Sequence, residues 1–264
     1  MKGQLTQQNY NTYTKEDQQT WSLLFERQVE NLKKDDKVVK EFWDGLKNLK
    51  IKKGEIPNFK EVNKILSKLS NFEIVAVTGL LDDKIFFQLI KNRKFPVTTW
   101  IRKPDQIDYI EEPDMFHDLF GHVPFLVDKT YTDFLVKLAD LAIPYFNGTD
   151  KSMQYGFSRA YWYSVEFGLL YNQNIQRKQI YGAGIISSFA ETNKVFEENS
   201  KTKEMHLHLL WKEKFEKDHL QDFYAIVNRD HAGVCNLPFA LKHTMECIDL
   251  LIQQSTGRIG YGGI

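Results

Sequence analysis

Cysteine is almost missing from this chain. Its 264 residues hold only Cys235 and Cys247, which rules out a disulfide framework, offers no metal-ligand spacing and makes a reducing, cytoplasmic setting the simplest expectation. Net charge is missing as well, since Lys plus Arg and Asp plus Glu both number 35 and the isoelectric point is about 7.1. No basic face therefore points to nucleic acid or an anionic membrane surface. No apolar run is long enough to span a bilayer, and the opening Met1-Lys-Gly-Gln-Leu-Thr6 has no signal core. There is no internal repeat, no low-complexity linker and no His-Glu-x-x-His zinc-protease helix. Aromatics, in contrast, are plentiful at 14%, which suits a pocket for a flat ring as well as a packed core. The length fits one domain with a large core.

The most informative stretch is Pro113-Asp-Met-Phe-His-Asp-Leu-Phe-Gly-His-Val-Pro124. It places His117 and His122 five residues apart, which on an unbroken α-helix is a rotation of about 140°, so the rings would not share a face. Gly121 offers a way out by ending the helix in a left-handed conformation, after which Pro124 stops it resuming. Pro113 suits a first helical turn, and Glu112 and Asp114 suit its positive end. Further on, Glu166 sits inside the apolar run Tyr161-Trp-Tyr-Ser-Val-Glu-Phe-Gly-Leu-Leu170. A buried ionised carboxylate is costly unless it is paired or bound to a metal. Taken singly, Glu166 reads as one half of a salt bridge and the histidines as core or surface residues. Together they form the two-imidazole, one-carboxylate set that holds non-heme Fe(II) by one face, though the same donors also serve zinc, and spacing does not name the metal.

The remaining pattern predicts a mainly α chain with small β elements, an α+β fold. Thr14 caps a helix over 15–32 that carries Trp21, Leu24 and Phe25, and a second helix covers 36–49. Pro57-Asn58 precedes a third, with Val62, Ile65 and Leu66 on one face. Residues 72–77 read as a strand, 83–91 as a helix and 95–101 as extended chain. The histidine helix follows, then helices over 131–142, 152–171 and 185–197, and a last amphipathic stretch from Pro238 to Leu251. The lysine-rich 47–60 reads as a solvated face around a turn at Gly54.

These blocks resemble the pterin-dependent aromatic amino acid hydroxylases, and among them the short bacterial phenylalanine-hydroxylating members. The resemblance runs from about Asn11 to Val227 and is carried by Tyr13–Trp21 with Glu26-Arg-Gln28, Asn92–Arg102, Glu112–Phe125, Tyr161–Gly168 and Tyr181–Ser188. It implies a single catalytic domain of that family over 12–255, a flexible leader over 1–11 and a flexible glycine-rich tail over 256–264. It implies Fe(II) on His117, His122 and Glu166. Arg102 would grip the substrate carboxylate, as a guanidinium fork suits. Pro113 and Trp162 would line the ring pocket, and Ser187 would support the first histidine. On the tetrahydropterin side it implies the loop Gly79-Leu-Leu-Asp-Asp83 with Leu81 and Asp83, then Phe86 for stacking, with Asp118 and Tyr161 nearby. Asp82 and Asp83 stand where animal members have small hydroxyl residues, and Ile110 where they have threonine. The Gly-x-Gly of Tyr181-Gly-Ala-Gly184 falls in a loop and lacks the strand–loop–helix setting of a dinucleotide site.

The implied reaction is a monooxygenation with O2 as co-substrate, in which the pterin is hydroxylated and L-phenylalanine becomes L-tyrosine. Tryptophan and tyrosine enzymes share these motifs and remain alternatives, and Phe223–Val227 is expected to line part of the pocket. Animal members also carry a regulatory domain and a tetramerisation helix, whose absence here predicts a monomer. From other classes, a zinc hydrolase and a non-enzymatic metal-binding module use the same donors. The hydrolase would need a general base that the pattern does not supply.

Overall fold

In the computed structural model, which describes residues 3–108, 110, 112–215, 219–228 and 235–257, Thr14 opens the first long helix. That helix is α1 (Lys15–Lys33), and its cap is reciprocal: the Thr14 hydroxyl accepts from Asp17 N–H while the Asp17 carboxylate accepts from Thr14 N–H. The second helix, α2 (Lys40–Leu49), starts later than its pattern suggests. Asp35 and Asp36 take left-handed φ values of 63° and 48°, and Val38 and Val39 then run to the sheet, where Val39 N–H bonds Ile180 O. Gly45 of α2 meets the turn that follows the histidines so closely that a Cβ there would lie 1.9 Å from Pro124 O.

After α3 (Phe59–Leu69) comes a β-α-β unit of β1 (Glu73–Val77), α4 (Asp83–Lys91) and β2 (Lys94–Thr98), with the strands parallel from Glu73 opposite Lys94 to Val77 opposite Thr98. The leader is not wholly loose. Thr78 N–H bonds Gln4 O and Thr6 N–H bonds Ala76 O, so residues 3–6 run antiparallel beside β1. Extended chain from β2 leads to the histidine segment, then to α5 (Lys129–Phe146), capped by Asp128, and α6 (Lys151–Tyr161), capped by Asp150.

The helix expected over 152–171 ends early. It becomes a wide turn at Trp162–Glu166 and then strand β3 (Gly168–Asn172). Leu169 and Leu170 are buried because β3 is central, antiparallel to β4 (Arg177–Ile180) and parallel to β6 (Tyr224–Val227). β5 (Thr202–Glu204) completes the order β4-β3-β6-β5. The helix expected over 185–197 is two short ones, α7 (Ala183–Ile186) and α8 (Phe189–Val195), broken at Ser187-Ser188, where Ser188 caps α8 through Glu191 N–H. α9 (Leu207–Trp211) follows, and α10 (Leu237–Ser255) starts under an Asn236 cap. The expected tail at 256–264 lies outside the described residues from 258 on.

One column of rings bears on the site. Phe116 and Phe120 stack at 4.8 Å, with Trp21 at 5.5 Å from Phe116 and Phe42 at 5.3 Å from Phe120. These two phenylalanines are the core-facing side of the segment whose other side carries the histidines.

Candidate active site

The histidines converge by a route other than the one the spacing suggests. Gly121 is not left-handed; positive φ among glycines is confined to Gly54 and Gly257 within the described residues. Residues His117–His122 instead form a π-helical turn that passes directly into a 3-10 turn at Val123–Val127 containing Pro124. A π turn closes i→i+5 hydrogen bonds, so residues five apart lie over one another. His117 and His122 thereby share a face, with Nε2 atoms 3.1 Å apart and rings 4.8 Å apart at 80°. Gly121 serves packing: a Cβ there would sit 2.8 Å from Ala183 O, so the glycine lets α7 close against the turn. A second π turn, Trp162–Glu166, delivers the carboxylate. Glu166 Oε1 lies 3.0 Å from His122 Nε2 and Oε2 lies 3.6 Å from His117 Nε2.

Hydrogen bonding sets the ring state of His117. Ser187 Oγ donates to Ala183 O at 2.9 Å, so its lone pair accepts the Nδ1–H of His117 at 2.8 Å. The unprotonated Nε2 then faces His122 and Glu166. Burial pushes His117 down to about 4 against the pull of Glu166, so the ring is neutral at neutral pH. Burial acts to raise Glu166, but His122, His117 and the Tyr161 phenol outweigh it and hold the carboxyl below its ordinary range. His122 Nδ1 is buried with no hydrogen-bond partner among the described residues. One ligand atom from each of His117, His122 and Glu166 thus lies within 4.8 Å of the others. Donors on adjacent corners of an octahedron, each about 2.1 Å from a metal, lie about 3 Å apart, so this set fits a divalent ion. Ser187→Ala should lower iron affinity by about 10–100-fold while leaving the fold intact, which metal titration would show.

Arg102, Pro113, Trp162 and Ser187 line one cavity of about 250 Å³ together with His117 and Glu166. Arg102 is held rigidly: its Nε and Nη2 donate to the two oxygens of Asp114, each at 2.9 Å. Nη1 has no hydrogen-bond partner among the described residues, so it remains available to a ligand in the cavity that Arg102 lines. Ile110 also lines this cavity. On the far side of the metal donors, Phe86 meets the edge of Tyr161 at 5.0 Å, and the Tyr161 ring lies 6.3 Å from His122 at 28°. Asp118 accepts from Thr98 N–H at 2.7 Å and Thr98 Oγ–H at 2.9 Å, while burial pushes its carboxyl up to about 7.

The sequence profile described as biopterin-dependent aromatic amino acid hydroxylase matches residues 6–234. The chain belongs to this family. It is 42% identical over 184 residues to the phenylalanine-4-hydroxylase of Chromobacterium violaceum, an alignment covering 68% of this chain and 58% of that relative. The aligned part thus spans less than two thirds of that relative's length. The fold agrees with crystal structures of the enzyme from Chromobacterium violaceum. One, with iron(III) and 7,8-dihydrobiopterin, superposes with a TM-score of 0.83 at 31% identity and covers 98% of this chain and 90% of that one. Another, with iron and phenylalanine, gives 0.79 at 30% identity, covering 98% and 92%.

As a member of the hydroxylase family, the chain shows both agreement and departures within its site. From the loop expected to meet the pterin, Leu80 reaches the cavity that Arg102 lines, and exposed Asp83 accepts from Ser158 Oγ at 2.8 Å, which ties the loop to α6. Phe223–Val227 does not line the pocket: Phe223 stacks on Tyr163, residues 224–227 are strand β6, and the neighbouring His219, Leu220 and Gln221 reach the cavity instead. Sequence reading missed Asp114 as the anchor of Arg102, although its place beside Pro113 drew notice as a helix-start acid. It also missed Thr98 beneath Asp118, and Glu191 and Gln221 in the cavity wall. Among the described residues no helix is long and apolar enough to cross a membrane.

Proposed function

We propose that this hydroxylase is a phenylalanine 4-monooxygenase, converting L-phenylalanine to L-tyrosine with O2 and a tetrahydropterin at Fe(II). The observation that carries the proposal is the meeting in one cavity of two of the three metal donors, His117 and Glu166, a preoriented Arg102 fork and the Trp162 indole, with His122 completing the donor set beside them. Bound iron and reduced pterin would supply the activation of O2 and the transfer of one oxygen atom to the ring. The protein does the rest. His117, His122 and Glu166 hold the ion, and Ser187 keeps His117 in the tautomer with Nε2 free. Asp114 aims Arg102, which takes the amino acid carboxylate through a charge-assisted bond. Pro113, Trp162 and Phe167 enclose the ring and exclude water. Phe86, Tyr161, Asp118 and the loop that includes Leu81 and Asp83 would receive the pterin beside His122.

The test is tyrosine formation from L-phenylalanine in air with Fe(II) and a tetrahydropterin, each omitted in turn. Product that needs every component supports the reading. Product from tryptophan or tyrosine only would change the substrate, and a folded protein that is inert toward all three and retains zinc would favour a hydrolase or binding module. We further propose a monomer in a reducing cytoplasm, a setting that suits a chain whose buried Cys235 and Cys247 are not joined in a disulfide. A solution mass of one chain that does not change with concentration is expected, and a stable tetramer would contradict it.

A further inference from the structure

Glu191 is a buried carboxylate in the cavity wall that metal and carboxylate binding leave unused. It lies in the first turn of α8 and is 5% exposed. Its Oε1 accepts from Gln221 N–H at 2.9 Å and its Oε2 accepts from the Tyr224 phenol. Gln221, 4% exposed, in turn accepts through Oε1 from the indole Nε1–H of Trp162 at 3.1 Å. A line of hydrogen bonds therefore runs from α8, through the segment at 219–221, to the indole that walls the ring pocket.

The chemistry of each link gives it a direction. Trp162 is flanked by Phe215 at 4.5 Å and 22° and by Phe167 at 4.8 Å and 34°. Stacking holds an indole loosely in its own plane, whereas its single N–H donor fixes how the ring is turned. Gln221 supplies that acceptor. Its backbone is held by a charge-assisted bond, roughly twice as strong as a neutral one. Burial raises the Glu191 carboxyl, and the Tyr224 hydroxyl and Gln221 N–H oppose that rise, so both donors favour the ionised form. Glu191, Gln221 and Trp162 all border the same cavity as Arg102 and Glu166.

We infer that Glu191 is a positioning residue which, through Gln221, fixes the plane of Trp162 and so restricts the cavity to an amino acid with a single ring rather than a bicyclic one. The inference rests on the hydroxylase reading above. Two variants test it. Glu191→Ala removes the anchor, and Gln221→Met leaves the anchor but removes the acceptor of the indole. In each, kcat/KM for phenylalanine should fall about tenfold, the scale of one lost charge-assisted bond, mainly through KM. The preference for phenylalanine over tryptophan should fall by a similar factor, with iron content and the KM for pterin unchanged. Glu191→Gln should recover most of both.

A readout independent of turnover is the indole N–H signal of Trp162 in ¹H–¹⁵N NMR, assigned with Trp162→Phe. It should shift and exchange faster with solvent in Glu191→Ala and Gln221→Met. An unchanged phenylalanine-to-tryptophan ratio in both folded, iron-loaded variants overturns the inference, whatever the NMR shows. An unmoved indole signal in both overturns it too. A wild-type protein inert toward every aromatic amino acid, but with the indole signal responding as described, would instead locate the failure in the hydroxylase reading.

Discussion

Replacing Glu166 with alanine is expected to strip the iron and abolish turnover while the protein stays folded. Glu166 is the only anion among the three donors, and the two that remain are imidazoles whose Nε2 atoms stand 3.1 Å apart. Removing a hydrogen-bonding partner behind a ligand costs metal affinity by about 10–100-fold, so loss of a ligand that also carries charge should exceed the upper figure. The fold should tolerate the change, because burial desolvates this carboxylate and its partners are His122, His117 and Tyr161, so its loss leaves no buried guanidinium or ammonium unpaired. Glu166→Asp keeps the charge but retracts it by one methylene, and should retain some iron with much reduced kcat. Iron per chain after gel filtration and single-turnover tyrosine yield are the measurements. One equivalent of tightly held iron with wild-type kcat in Glu166→Ala would remove the carboxylate from the metal site.

The three metal donors were legible through the motifs that carry them, Pro113–Pro124 and Tyr161–Gly168, whose likeness to the hydroxylases singled them out; residue type and spacing alone left the salt-bridge and core readings open. The way they converge was not legible. A spacing of five is out of phase for an α-helix, and nothing local announces that the chain will widen into a π turn. The widening is decided by packing, with Phe116 and Phe120 locked into the ring column behind the turn and Gly121 pressed against Ala183 in front. Phe167–Leu170 misled for a related reason, since a short apolar run does not distinguish a buried helix from a central strand. The side chains that shape the cavity were hidden by distance along the chain. Gln221 lies thirty residues from Glu191 and fifty-nine from Trp162. Capped helices were the easiest part, as Thr14 shows, because a cap and the N–H it satisfies are three residues apart.

Asp114 illustrates both sides of that lesson and carries the largest expected effect on stability. A helix-start acid is worth tenths of a kcal/mol to one, and as sequence it reads as no more than that. In the fold it is fully buried and accepts from Arg102 Nε, Arg102 Nη2, Arg102 N–H and His117 N–H. Asp114→Ala would leave a 5% exposed guanidinium without its partner, and breaking such a pair costs about 3–5 kcal/mol. For a chain of this size that corresponds to a fall in Tm of about 6–20 °C. Burial acts to raise the Asp114 carboxyl, and the Arg102 fork, the Arg102 charge and the two backbone donors overcome it, so it titrates below 3.8 in the folded state. Its stabilisation is therefore complete above the unfolded pKa of 3.8 and is lost as pH falls through the lower folded value. Asp114→Asn should lower Tm at neutral pH and flatten this acid limb of the stability profile. Because Arg102 would lose its orientation, the KM for phenylalanine should rise more than tenfold in either variant, the order expected when a charged hydrogen bond is misaligned. A Tm within 2 °C of wild type (below the roughly 2–4 °C expected per kcal/mol), together with an unchanged KM, would mean that packing alone aims Arg102 and that Asp114 is dispensable to the substrate site.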